Sequence, residues 1–210
     1  MIAWLIAAGR LLLGESEMAV RVGPVIATGL VSLAVYRTGR LLFDARTAGI
    51  GVIWYNLTIV GGLMFIAAPD GPVVLFWTLA IWCVAEFAAR RNANWWLAAG
   101  LFVGLGLLSK YTMAFLGAGL LLYLFTSRER LAWLRKWQVW VGGAISVLVF
   151  LPNLIWNAQH DWASIRFQGA RLENFGRNFG TWRNLLYLIA GQALATGIFL
   201  FLFVIAVALL

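Results

Sequence analysis

The chain has 210 residues, 63% hydrophobic and 11% charged, with 12 Trp and 14 Phe, where an ordinary soluble domain carries roughly 25% charged residues. That composition excludes a soluble globular domain and marks an integral membrane protein. The net charge of +8 does not point to nucleic acid, because cations in such a chain set its orientation in the bilayer and contact anionic lipid.

Met1 to Leu13 is apolar without a basic leader, contains Arg10 and is too short to span, so it is neither a cleaved signal peptide nor a crossing helix. Apolar stretches then run Val22 to Tyr36, Thr47 to Ala68, Pro72 to Ala89, Val139 to Trp156 and Leu185 to Leu210. Their continuity and the short polar loops between them predict helices rather than barrel strands. Trp95 to Phe125 is one long apolar run broken only at Ser109-Lys110, with Arg90-Arg91 before it and Arg128 to Lys136 after it. Positive charge at both ends places both ends on the cytoplasmic side. The run is therefore read as a hairpin, Trp95 to Leu108 and Tyr111 to Phe125, with Lys110 at its outward turn. Arg37, Arg40 and Arg46 form a further basic loop on the same side. Glu15 to Arg21, the Pro69-Asp70-Gly71-Pro72 turn, the Lys110 turn and a loop from Asn157 to Asn184 then share the outer face. Gly100, Gly104 and Gly106 in one hairpin arm and Gly117 and Gly119 in the other permit close approach of the arms. Cys83, the single cysteine, reads as a small packing residue, and Glu86 is placed to reach Arg90 at i+4. The last apolar stretch runs into Leu210 without a polar tail, the pattern of a fragment, and the whole is one domain, residues 1–210, truncated at both ends.

Chemistry-bearing residues cluster on the outer side. The loop after Trp156 carries His160, Asp161, Arg166, Arg171, Arg177 and Arg183, against the charge rule that the other loops obey. Guanidinium groups bind phosphate oxygens by paired hydrogen bonds, so a lipid-linked phosphate is one reading; arginines snorkelling to headgroups or pairing with Asp161 and Glu173 is the other. Asp70 can bind a sugar hydroxyl, accept a proton or cap the helix near Pro72, and it is placed to form a buried pair with Lys110. His160, the only histidine, makes no metal site alone; Asp70, Asp161 or residues outside this sequence would have to join it around a divalent ion, and a hydrogen bond to phosphate or sugar is the reading preferred to a metal. Trp156 and Trp162 bracket it as interface-belt or sugar-stacking residues. Phosphate loops, Gly-x-Ser-x-Gly elbows and paired histidines are absent from the sequence.

The ordered set Ile2-Ala3-Trp4-Leu5-Ile6, Gly14-Glu15-Ser16-Glu17, Tyr36-Arg37-Thr38-Gly39-Arg40, Pro69-Asp70-Gly71-Pro72, Leu107-Leu108-Ser109-Lys110-Tyr111-Thr112 and Leu151-Pro152-Asn153-Leu154-Ile155-Trp156-Asn157 with His160-Asp161-Trp162 resembles glycosyltransferase family 39. These are the dolichyl-phosphate-mannose-protein mannosyltransferase-like enzymes of the C-type membrane fold. The resemblance implies an all-α polytopic transmembrane helical bundle in the bacterial inner membrane, moving a sugar from a polyprenyl-phosphate donor to a protein, lipid or polysaccharide acceptor on the periplasmic side. It implies Lys110 and Arg166 as donor-phosphate contacts, with Tyr111 and Arg171 beside them, Asp70 as a supporting carboxylate and His160 as a polar or metal contact. The family's Asp-Glu loop and the His-Pro-Pro motif that often follows it do not occur in this sequence, so the chain alone is expected to be inactive. Two other readings stand beside this one. A transporter or flippase of lipid-linked sugars also uses outward cations but places its site near the bilayer midplane; a non-enzymatic assembly partner needs no site at all.

Overall fold

The computed structural model describes residues 2–58, 61–62, 67–178, 182–196 and 205, and its elements are helices. Gly14, at φ 73°, turns α1 (Ile2–Leu13) back onto α2 (Glu17–Leu42), whose first turn is capped by Ser16 accepting from the Ala19 N–H at 3.1 Å. A Cβ on Gly9 would stand 1.9 Å from the Ala19 carbonyl oxygen, so this pair depends on a bare backbone. Asp44 caps α3 (Ala45–Leu57), accepting from the Thr47 N–H at 2.8 Å and the Thr47 hydroxyl at 3.0 Å.

The span expected from Thr47 to Ala68 does not run through. Thr58 is extended, and its hydroxyl donates to the Tyr55 carbonyl at 2.7 Å while accepting from Gly61 N–H at 3.2 Å. A β-branched hydroxyl that serves both neighbouring turns competes with the helix ladder and ends it. Residues 59–60 and 63–66 of that stretch lie outside the described residues.

The remaining elements are α4 (Asp70–Arg90), α5 (Trp95–Ser109), α6 (Met113–Thr126), the short α7 (Arg130–Leu134), α8 (Trp137–Gln159), α9 (Ala163–Asn178) and α10 (Trp182–Thr196). Among the described residues, α2, α4 and α8 are long and apolar enough to cross a membrane. The helices stand in a row, α1, α2, α4, α5, α8, with α3 against α2 and α6 against α4 and α5. Ala27, Val31 and Leu75 form the core between α2 and α4, and Ala80, Val103, Met113 and Leu116 that between α4, α5 and α6. The chain is therefore an all-α membrane helical bundle.

The hairpin arms form as expected, and Gly106 admits Met113 of the other arm, where a Cβ would stand 2.7 Å from its Sδ, but Gly100 and Gly104 join a different partner. A Cβ on Gly100 would lie 2.0 Å from the Gly142 carbonyl oxygen, and one on Gly104 would lie 2.8 Å from that of Ser146. Gly142 reciprocates, 2.4 Å from the Trp96 carbonyl oxygen, whereas Gly117 and Gly119 meet nothing within 4 Å. The close seam runs between α5 and α8, which lie parallel because residues 96, 100 and 104 meet residues 142 to 149 in ascending order. Small residues let backbones approach where lipid offers no hydrophobic drive.

The segment from Asn157 to Asn184, expected as a loop, is largely helical. It holds no proline, and its polar and apolar residues fall at helical spacing over α9. Cys83 is buried in α4, and Glu86 is 4% exposed, ion-paired with Arg90 and accepting from the Trp82 indole at 3.2 Å.

Candidate functional site

Two turns meet at one end of the bundle. Asp70 opens α4 and Lys110 closes α5, where its backbone swings to an extended conformation while its N–H still donates to the Gly106 carbonyl at 2.9 Å. That swing carries the ammonium group sideways onto the Asp70 carboxylate, and the two form an ion pair. The pair is not buried: the side chains are 66% and 40% exposed for Asp70 and Lys110, so it contributes at most about 1 kcal/mol to stability. The N-cap of α4 is Pro69, and the carboxylate of Asp70 is engaged by Lys110 instead of capping a backbone N–H.

Beside Lys110 opens a cavity of about 430 Å³, lined by Leu107, Ser109, Lys110 and Tyr111 from α5 and its turn, Asn153 from α8, and Ser164, Phe167 and Gln168 from α9. Its polar wall is tied together. The Tyr111 hydroxyl donates to Asn153 Oδ1 at 2.8 Å. Asn157, 1% exposed, donates through Nδ2 to the Tyr111 hydroxyl at 3.2 Å and to Asn153 Oδ1 at 3.0 Å, and accepts the Ser164 N–H on Oδ1 at 3.1 Å. The Asn157 carbonyl also accepts from His160 N–H at 3.1 Å and Trp162 N–H at 2.8 Å. These bonds hold Asp161 and Trp162 in left-handed backbone, φ 51° and 57°, a conformation that costs a non-glycine residue of order 1 kcal/mol or more. Asn157 is thus the knot between α8, the reversal after it and α9.

Of the residues expected to carry chemistry, Lys110 and Tyr111 line the cavity and Asp70 holds Lys110 from outside it. His160 is exposed and stacks on Trp156, ring centroids 4.3 Å apart, with Nδ1 2.8 Å from the Trp156 carbonyl oxygen. Arg166 and Arg171 are exposed on α9 and do not line the cavity, and the Arg171 guanidinium lies 5.4 Å from the Phe167 ring centroid. The side chains of Arg177 and Arg183 lie outside the described residues. Among the described residues no group of three or more His, Cys, Asp or Glu side chains converges. Asn153, Asn157, Ser164 and Gln168 were not singled out as site residues from the sequence. The available signal was the i, i+4 spacing of Asn153 and Asn157 in an otherwise apolar helix, which puts two carboxamides on one face.

The sequence profile described as dolichyl-phosphate-mannose-protein mannosyltransferase matches residues 1–156, a stretch that includes Asp70, Lys110, Tyr111 and Asn153. The chain belongs to this family. Among curated relatives, the undecaprenyl phosphate-alpha-4-amino-4-deoxy-L-arabinose arabinosyl transferase of Pseudomonas paraeruginosa is 31% identical over 156 residues, 70% of this chain and 27% of that protein. Lipid A galacturonosyltransferase RgtD of Rhizobium johnstonii is 32% identical over 171 residues, 79% of this chain and 35% of its own length. The arabinosyl transferase of Edwardsiella ictaluri is 31% identical over 173 residues, 75% of this chain and 30% of the relative. The chain matches about a third or less of the length of these relatives. No solved structure matches it.

Proposed function

We propose that this chain carries the lipid-phosphate half of a glycosyltransferase that moves a sugar from a polyprenyl-phosphate donor to an acceptor at the outer face of the bacterial inner membrane. The observation that carries the reading is Lys110, a cation at a helix end, at the wall of a polar cavity and oriented by Asp70. In such a transfer the acceptor oxygen bonds to the anomeric carbon, the bond from that carbon to the phosphate oxygen breaks, and the acceptor proton passes to a base. Charge develops on the departing phosphate, and a fixed ammonium group there stabilises the transition state more than the ground state. Asp70 keeps the Lys110 side chain at the turn and yields it when a phosphate arrives, because an exposed pair is weak enough to be exchanged. The named activities of the relatives, which use undecaprenyl phosphate-linked sugar or modify lipid A, support this donor class. The Asp70–Lys110 pair and the cavity beside it lie at helix ends, which speaks against the transporter alternative.

The general base is assigned to no residue here, and the chain by itself is expected to bind donor without transferring sugar. Binding of undecaprenyl phosphate and of undecaprenol to the protein in nanodiscs tests the reading. Tighter binding of the phosphate, lost in Lys110→Met, is the expected result; equal binding of both lipids by the wild-type chain overturns it.

A further inference from the structure

The hydrogen-bond knot fixes the direction of one carboxamide in the cavity wall. The Ser164 N–H can only donate, so the Asn157 atom 3.1 Å from it is the oxygen, and the Asn157 amide nitrogen faces Tyr111 and Asn153. A nitrogen at 3.0 Å requires an acceptor opposite, so the Asn153 atom it meets is Oδ1, which also accepts the Tyr111 hydroxyl at 2.8 Å. Flipping Asn153 would set amide nitrogen against amide nitrogen. The contact with Asn157 therefore excludes the flip, and Asn153 Nδ2 is left with two N–H donors that no group among the described residues accepts, in a residue that lines the cavity next to Lys110.

We propose that Asn153 is a ligand-binding residue that donates through Nδ2 to an oxygen of the lipid-linked phosphate or of its sugar, and that Tyr111 and Asn157 are positioning residues that hold the amide in that direction. This rests on the reading of the cavity as the donor site. A carboxamide supplies what Lys110 does not: a directional donor with no charge, set by the Tyr111 and Asn157 side chains, the latter itself fixed by the Ser164 backbone N–H, instead of by a flexible stem. Pro152 adjoins it and removes one rung of the α8 ladder at the Leu148 carbonyl.

The decisive variant is Asn153→Asp. It keeps an oxygen for Tyr111 and Asn157 to donate to and changes only the free amide into a carboxylate oxygen. In the full chain in nanodiscs, it is expected to weaken undecaprenyl phosphate about tenfold or more, the loss of a bond to an anion plus repulsion, while leaving undecaprenol binding and thermal stability unchanged. Tyr111→Phe is expected to weaken the phosphate lipid several-fold in the wild-type background and not at all in the Asn153→Ala background, since it acts through Asn153. Unchanged phosphate binding in Asn153→Asp, with Lys110→Met impaired, overturns the role of Asn153 and leaves the donor site standing. Unchanged binding in both variants overturns the donor site and this role with it. Equal effects of Tyr111→Phe in the two backgrounds overturn the positioning role.

Discussion

The two ends of the bundle use the same residue types to opposite purpose. At the basic end, Phe87 is 1% exposed and packed edge-on against Trp133 and Trp96, with centroids 4.3 and 5.5 Å away. Arg91 pairs with Glu129 and lies 5.4 Å from the Trp133 ring centroid, Arg90 pairs with buried Glu86, and Gln138 donates to Asn94 at 3.0 Å. Glu86 and Glu129 are each answered by an arginine, and the aromatic rings fill the space between helices. At the other end Asp70 and Lys110 form an exposed pair beside open volume, Arg10 with Glu15 and Arg21 with Glu17 form exposed pairs at the α1–α2 turn, and the hydrogen bonds of the cavity wall run between neutral groups. Charge is used to close one end and is left exchangeable at the other.

Substitutions can sharpen or break that contrast. The largest effect is expected at the seam joining the two ends. Gly100→Leu drives a side chain into the Gly142 backbone and should separate α5 from α8, abolishing the folded, monodisperse protein on size-exclusion chromatography. Phe87→Ala should cost about 3 kcal/mol in unfolding free energy, through lost packing against two indoles, without selective loss of undecaprenyl phosphate affinity in the protein that remains folded. Lys110→Met should do the reverse, reducing phosphate-lipid affinity about tenfold or more while thermal unfolding stays where it was. Asp70→Asn should change stability by less than about 1 kcal/mol and lower phosphate affinity only a few-fold, because Lys110 keeps its charge and loses its guide. The smallest effect concerns Asp44, whose carboxyl is held below its ordinary value by the backbone N–H and hydroxyl of Thr47. A carboxyl lowered in the folded state stabilises fully above its unfolded pKa and loses that contribution as pH falls through the folded value. Protection of the first α3 amides, their exchange rate taken relative to the intrinsic rate at each pH, should therefore fall below about pH 4, and Asp44→Asn should remove that loss of protection.

Much of this was legible in the chain. The apolar run from Trp95 to Phe125 with cations at both ends dictates a hairpin, and a hairpin dictates that Lys110 sits on a turn; Asp70, between two prolines, falls on a turn of the same side. The pairing of the two follows from that topology. What resisted reading were features decided by packing. A glycine carries no mark of which neighbour it admits, so Gly100 and Gly104 were assigned to the covalently adjacent arm when their partner is α8. Thr58 ends α3 inside an apolar stretch through hydroxyl bonds invisible to hydropathy. The arginine-bearing segment after Trp162 lacks the hydrophobicity of a span and so read as loop, although helical periodicity was present in α9. Asn153 and Asn157 acquire meaning only when Tyr111 arrives from the hairpin turn.

The shortness of the hairpin has one further effect, on the lipid around it. The 15 residues of α5 and 14 of α6 rise about 22 and 21 Å, less than a hydrocarbon layer about 30 Å thick, whereas the neighbouring 23-residue α8 rises about 34 Å. A bilayer meeting this step must thin locally or admit water to the level of Lys110. Either way headgroups are drawn down toward the turn, so a long-chain phosphate can reach the ammonium group by sliding within its own leaflet, with its tail never leaving the hydrocarbon.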